Sequence, residues 1–219
     1  MKRSGNSQLK DKKRVEDYGE VFTSKKEVNA MLDFVEKETF RIESRFFEPA
    51  CGTGNFLDEI LRRKLNIVIE RYKKNQLEFE RNALITISSI YGVDILEDNV
   101  KECRARLLII FTEIYKNHFK NNYNDKFLST VKFILKKNII LGDALALKRK
   151  NDNMPIIFSE WAFVNASMVK RRDYTFAHLI EYRPFEGENL FSDLGEEAFI
   201  PKTIKEYPLK HFLELADDD

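Results

Sequence analysis

The chain is poor in the residues that staple, kink or activate a polypeptide. Its 219 residues include only 8 Gly, 5 Pro, 3 His and 2 Cys. Two cysteines, Cys51 and Cys103, exclude a disulfide framework, and no Cys/His spacing suits a metal, so no metal site is expected. His118, His178 and His211 are scattered, and no nucleophile–base pair is visible. No apolar run approaches the roughly 18 residues of a membrane span. The opening MKRSGNSQ has no apolar signal core. A soluble, cytoplasmic protein with no membrane partner is the expectation. There is no internal repeat. With 43% hydrophobic and 33% charged residues, one ordinary core under a heavily charged surface follows.

The net charge is only +1, but it is unevenly spread. Lys2, Arg3, Lys10, Lys12, Lys13 and Arg14 crowd the start, whereas residues 186–219 are strongly acidic. A basic arm and an acidic end serve nucleic acid, a partner protein or merely solvation. Residues 1–18 read as a flexible basic arm, 19–165 as the main domain, and 166–219 as a C-terminal extension packed on or beside it.

Hydrophobic periodicity divides the middle of the chain. A helix opens at Ser24, where Glu27 completes a capping box, and carries Val28, Leu32 and Val35. A short strand, Arg45 to Phe47, runs into a glycine loop. A helix follows, capped by Thr53 or Asn55 and bearing Phe56, Leu57, Ile60, Leu61 and Leu65. Helical runs cover about 76–90 and from Asp98 to Phe119. Residues 120–130 read as loop or helix end, and 131–137 as helical. Tyr91–Ile95, Asn138–Leu141 and Pro155–Phe158 read as strands, and 173–182 as a helix. Strands alternating with helices predict an α/β fold: a mainly parallel, Rossmann-like sheet with helices on both faces. Ligands then sit at the carboxyl ends of the strands.

The few glycines are informative by their placement. In Phe47-Glu-Pro-Ala-Cys-Gly-Thr-Gly-Asn-Phe-Leu57 two of them stand one residue apart, between a strand and a helix. Such a turn leaves backbone N–H groups exposed at the helix N-terminus. Gly52 and Gly54 let a ligand approach and let the chain take φ > 0, although tight turns use the same pattern without a ligand. Asp94 ends the next strand, placed for a ribose diol, and Asp143 ends the one after, placed for an adenine amino group. Glu48 precedes the loop. Acids at three successive strand ends favour a nucleoside site.

These residues resemble the S-adenosylmethionine loop of N6-adenine DNA methyltransferases, usually Asp-Pro-Ala-Cys-Gly-Ser-Gly-x-Phe-Leu. Gly19-Glu-Val-Phe-Thr23 is similar to that group's upstream motif, with Ser24 where proline is usual. The resemblance covers about residues 18–160 and extends to methylation subunits of restriction–modification systems. It implies a class I methyltransferase fold and S-adenosylmethionine as cofactor. It implies that Phe22 and Thr23 cover the methionine end, and that Glu48, Pro49, Ala50, Cys51, Gly52, Thr53, Gly54 and Asn55 hold the cofactor body. Asp94 would take the ribose, Ile95 would flank the adenine, and Asp143 with Ala144 would form the adenine turn.

The family's Asn/Asp-Pro-Pro-aromatic motif, which holds the flipped target base, is missing. Ile156-Ile-Phe-Ser-Glu-Trp-Ala162 stands in its place. Ser159 and Glu160 are candidate acceptors for the amino group and Trp161 a candidate stacking ring, one residue out of register. Trp161 and Glu160 have ordinary readings as well, as a sheet-edge aromatic and a surface acid. Lys148-Arg-Lys150 and Lys170-Arg-Arg172 are candidate phosphate contacts. About 58 residues follow Trp161, too few for a target-recognition domain, so DNA binding is expected with a target-recognition or nuclease subunit as partner. Three readings stay open: a DNA N6-adenine methyltransferase working with that partner, a methyltransferase for another acceptor, and a non-catalytic cofactor-binding scaffold or sensor.

Overall fold

The computed structural model describes residues 14, 23–165, 167–180 and 202–218. The basic arm other than Arg14, and Phe22, lie outside the described residues.

Two helices precede the first strand: α1 (Lys25–Phe34) and the single turn α2 (Glu36–Thr39). The capping box forms as expected. Ser24 Oγ accepts from Glu27 N–H at 3.3 Å and Glu27 Oε2 accepts from Ser24 N–H at 2.9 Å. The chain continues through β1 (Phe46–Glu48), α3 (Asn55–Tyr72), α4 (Gln76–Ser88), β2 (Ile90–Asp94), α5 (Glu97–Phe119), α6 (Asp125–Asn138) and β3 (Ile139–Asp143). Helix α6 starts earlier than periodicity suggests, because Asn124 Oδ1 accepts from Lys126 and Phe127 N–H and caps it.

Strands β1, β2 and β3 pair in parallel, in that order, and the two-residue β4 (Lys148–Arg149) joins β3 antiparallel. The result is a mixed α/β protein with a mostly parallel four-stranded sheet. Beside it stands an antiparallel unit of β5 (Ile157–Phe163), β6 (Met168–Thr175), β7 (Lys205–Glu206) and β8 (Lys210–His211). A short helix, α7 (Phe176–Ile180), follows β6, and a 3₁₀ segment over Phe212–Asp218 rests on α6, where Thr130 Oγ1 donates to Phe212 O at 2.8 Å.

Most of the apolar positions named by three- and four-residue spacing are inside, although Val35 is exposed. Leu57, Leu61 and Leu65 of α3, Phe79 and Ala83 of α4, Cys103 and Leu107 of α5, and Val131 and Ile134 of α6 share one core. Each fully buried large apolar side chain contributes about 1.5–3 kcal/mol. One charge lies among them. Lys64 is 0% exposed, and its ammonium donates to Ile42 O, Ser44 O and Ser89 Oγ, capping the segment that leads into β1. Three donors meet three acceptors, yet burial pushes this lysine down to about 7.

The long helices cover one face of the sheet, and β5 with the short helix α7 covers the other. Gly92 packs toward Cys51 and Leu57 on the helical face. Tyr91 and Val93, alternating to the other face, meet Ile156, Phe158 and Phe176 instead. Connection length and shape explain it. A parallel return needs a crossover, usually a helix. Here the residues between β3 and β5 fold into the β4 ribbon, bridged from Lys148 to Pro155. That ribbon delivers the chain back to the carboxyl end of β3, so β5 runs down the sheet against β3's direction. It also runs on to Phe163, beyond the expected stop at Phe158, and pairs with β6 throughout. The expected helix at 173–182 is therefore strand up to Thr175 and helix only from Phe176.

Candidate functional site

The carboxyl ends of β1, β2 and β3 open on one cleft of about 560 Å³. Its walls include Thr23, Glu48, Pro49, Ala50, Cys51, Gly52, Thr53, Asn55, Asp94, Ile95, Asp143 and Ala144, all named from sequence. Phe56, Leu96, Asn99, Gly142 and Leu145 complete it. Gly54, also named, is not among the lining residues.

The two loop glycines differ in role. Gly52 has φ 52° and lies in the cleft wall. Gly54 has φ 89° and forms the N-cap of α3 in the left-handed region, in place of the Thr53 or Asn55 cap expected. A Cβ there would come within 2.7 Å of Cys103 Sγ, so its bareness serves the packing of the loop on α5. No side chain caps α3. Its first-turn N–H groups are left for solvent or a ligand. Asn55 instead spends its side chain on tethering: Nδ2 donates to Thr23 O at 3.0 Å and Oδ1 accepts from Arg106 at 2.6 Å.

The three strand-end acids are in different states. Asp94 is buried. Its Oδ2 accepts from Gly52 N–H at 2.8 Å, and Oδ1 from Leu96 N–H at 2.9 Å and Asn99 Nδ2 at 3.3 Å. Asp143 Oδ1 accepts from Leu145 and Ala146 N–H, both at 2.9 Å, which turns the chain after β3. Among the described residues Glu48 accepts only from Ala50 N–H, at 3.3 Å. Burial pushes the Glu48 carboxyl up, and that hydrogen bond offsets only part of the effect. The Cys51 thiol is pushed up by its hydrogen bond with Cys103, by burial and by the nearby Asp94 and Glu48.

Ser159, Glu160 and Trp161 are not brought to this cleft. Ile156 touches the position of Gly142 at the carboxyl end of β3, while Trp161 Nε1 donates to Asn138 Oδ1 at 3.0 Å, just before β3 begins. The five steps from Asn138 to Asp143 span about 16 Å of sheet. Ser159 Oγ donates to Asp173 Oδ1 at 2.7 Å and accepts from Arg171 Nε at 3.1 Å. Burial alone would raise the Glu160 carboxyl, but Arg45 at 2.7 Å, Tyr174 and Arg172 hold it low. These three side chains tie β5 to its neighbours.

Among the lining residues that sequence reasoning missed are Asn99 and Leu145. Asn99 had a signal, an amide one turn into the helix after a strand-end acid. Leu145, 97% exposed, had none, because only the fold shows it beside Asp143. Among the described residues no cluster of three His, Cys, Asp or Glu is placed to hold a metal, and no helix is long and apolar enough to cross a membrane.

A glycine loop and three strand-end acids around one cleft, on a mostly parallel sheet, are the arrangement of a methyltransferase-like protein. The family model described as MmeI, DNA-methyltransferase domain, matches residues 22–156, more than half of the chain. The chain belongs to this family, and is a methyltransferase-like protein of restriction–modification type. No curated protein and no solved structure matches it.

Proposed function

We propose that the cleft binds S-adenosylmethionine and that the chain is the cofactor-binding component of a DNA N6-adenine methyltransferase completed by a partner chain. The observation that carries this reading is the convergence of Glu48, Asp94 and Asp143 on one cleft floored by Gly52. The volume falls within the roughly 300–1,000 Å³ of small-ligand sites. Each end of the cofactor has a counterpart. Glu48, partly desolvated and poorly paired, suits the ammonium or the sulfonium, since a positive ligand relieves the penalty on its charge. The exposed first turn of α3 suits the carboxylate. Asp94 suits the ribose. Asp143 has one oxygen beyond the two turn bonds to accept the adenine amino group, and Ile95 and Leu145 suit the faces of the ring.

A sulfonium methyl transfers to an amino nitrogen only when the two are held in line. The groups that hold the acceptor base belong at the cleft mouth, and Ser159, Glu160 and Trp161 lie down the sheet from it. This supports a second chain as their source, and the same chain as the reader of the DNA target. It favours a split enzyme over a self-sufficient one. The scaffold or sensor reading shares the cofactor site and differs only in having no acceptor.

Titration calorimetry of the full chain with S-adenosylmethionine is the test. Saturable heat is expected, and none at millimolar ligand from folded protein overturns the cofactor reading. Radiolabelled methyl transfer to DNA is expected to be undetectable with this chain alone. Robust transfer overturns the split-enzyme reading.

A further inference from the structure

Thr23 forms part of the cleft wall, just before the Ser24 cap of α1. Asn55, the first residue of α3, holds it there by donating from Nδ2 to Thr23 O at 3.0 Å. The amide of Asn55 is held in turn from outside the cleft lining. Arg106 on α5 donates to Asn55 Oδ1 at 2.6 Å. Chemistry fixes which way this amide points. A guanidinium only donates and a backbone carbonyl only accepts, so Oδ1 must face Arg106 and Nδ2 must face Thr23.

Arg106 is itself oriented by Asp58, which is buried and three residues past Asn55 on the same face of α3. Asp58 Oδ2 accepts from Arg106 Nε at 2.9 Å and lies 2.6 Å from Nη2. The planar guanidinium fork is thereby set, and its remaining nitrogen is aimed at Asn55. Asp58 Oδ1 accepts from Arg62 Nε at 2.5 Å. Two arginines thus share one carboxylate, and of these two Arg106 continues to Asn55. The rest of α1 is anchored independently. Val28 and Leu32 are buried, and Arg63 donates to Asn29 Oδ1 at 2.9 Å and to Asp33 Oδ1 at 2.8 Å. The chain of bonds from Asp58 to Thr23 therefore governs the cleft end of α1 and not the docking of the helix.

We infer that Arg106 is a positioning residue for the cofactor: held by Asp58, it sets the Asn55 amide and, through it, the Thr23 wall of the cleft. A wall that is already in place costs no ordering when the ligand enters, so the relay raises affinity without touching the ligand. This inference rests on the S-adenosylmethionine reading proposed above and is independent of the DNA part.

The test uses the full chain and titration calorimetry with S-adenosylmethionine, with thermal melts to verify folding. Arg106→Met and Asn55→Ala should each weaken binding about two- to tenfold, the effect of one neutral hydrogen bond. Arg106→Lys keeps a donor and should recover part of the loss. Arg62→Met takes the other arginine from the same carboxylate and should bind like the wild type. In an Asn55→Ala background, Arg106→Met should cost nothing further, because its effect passes through Asn55. Wild-type affinity in Arg106→Met, an equal loss in Arg62→Met, or additive losses in the double variant overturn the relay. A second readout needs no ligand. Amide hydrogen exchange at Glu27 and Val28, in the first turn of α1, should quicken in Arg106→Met and not in Arg62→Met. If the wild type gives no heat with S-adenosylmethionine, the cofactor reading falls and exchange alone judges the tether. Unchanged exchange in Arg106→Met overturns it.

Discussion

The amide of Gly52 donates to Asp94 Oδ2 at 2.8 Å, so the acid that ends β2 holds the glycine loop before any ligand arrives. Leu96 N–H and Asn99 Nδ2 take up the other oxygen. A carboxylate offers about four acceptor sites, and three are already used.

Asp94 therefore acts on the loop, and in the proposed function on a ribose as well. Asp94→Ala should weaken S-adenosylmethionine binding by about 1.5–3 kcal/mol, the range for hydrogen bonds to a charged group. It should also lower the melting temperature of the ligand-free protein. Calorimetry and thermal denaturation on the same variant check this. Lost affinity with an unchanged melt would mean that the acid serves the ligand alone.

Gly54→Ala places a Cβ at φ 89°, 2.7 Å from Cys103 Sγ. Destabilisation above about 1 kcal/mol is expected from backbone conformation alone, with the contact adding to it. Adding Cys103→Ala should recover part of the loss, with a coupling of about 0.5–3 kcal/mol in a double-mutant cycle. Strict additivity by chemical denaturation would show that the two residues do not meet.

Lys64 gives a pH signature. Its folded-state value is lowered from 10.5 to about 7 by burial, so between these values the unfolded chain binds the proton and the folded chain does not. Stability from this group rises with pH across that window. Lys64→Met should flatten the rise, at the cost of leaving Ile42 O and Ser44 O without their donor. Denaturant midpoints measured from pH 7 to 10 decide it, and an identical rise in the variant refutes the assignment.

Arg171 and Asp173 form a buried bidentate pair at 2.9 Å, with Ser159 bonded to both and Tyr207 donating to Asp173 at 3.1 Å. Asp173→Ala leaves the guanidinium buried and uncompensated, and should cost about 3–5 kcal/mol. Ser159→Ala should cost about 1 kcal/mol and leave cofactor heat unchanged. Heat abolished in a folded Ser159→Ala protein would return this serine to the cofactor site.

The helices and the glycine-loop strand were legible because their signals are local. Ser24 with Glu27, and Leu57, Leu61 and Leu65 at helical spacing, are short-range patterns, and the structure carries each of them. Helix α6 was seen only in its second half, because a polar first turn hides its cap at Asn124. β4 and β6 were missed, since a two-residue ribbon and a strand rich in Lys and Arg resemble loops until partner strands pair them.

By itself the sequence pointed to most of the residues that line the cleft: backbone freedom at the loop and an acid at each strand end are properties of short segments, and the parallel pairing only has to bring the ends level. It could not determine the direction of the strand after Asp143. Whether Ile157–Phe163 returns parallel or folds back depends on where the β4 ribbon releases the chain, and that is a long-range matter of pairing and packing. The tertiary structure decided it when the ribbon closed at the carboxyl end of β3. Ser159, Glu160 and Trp161 were thereby carried away from the cleft and into hydrogen bonds and ion pairs with residues that local sequence does not link to them.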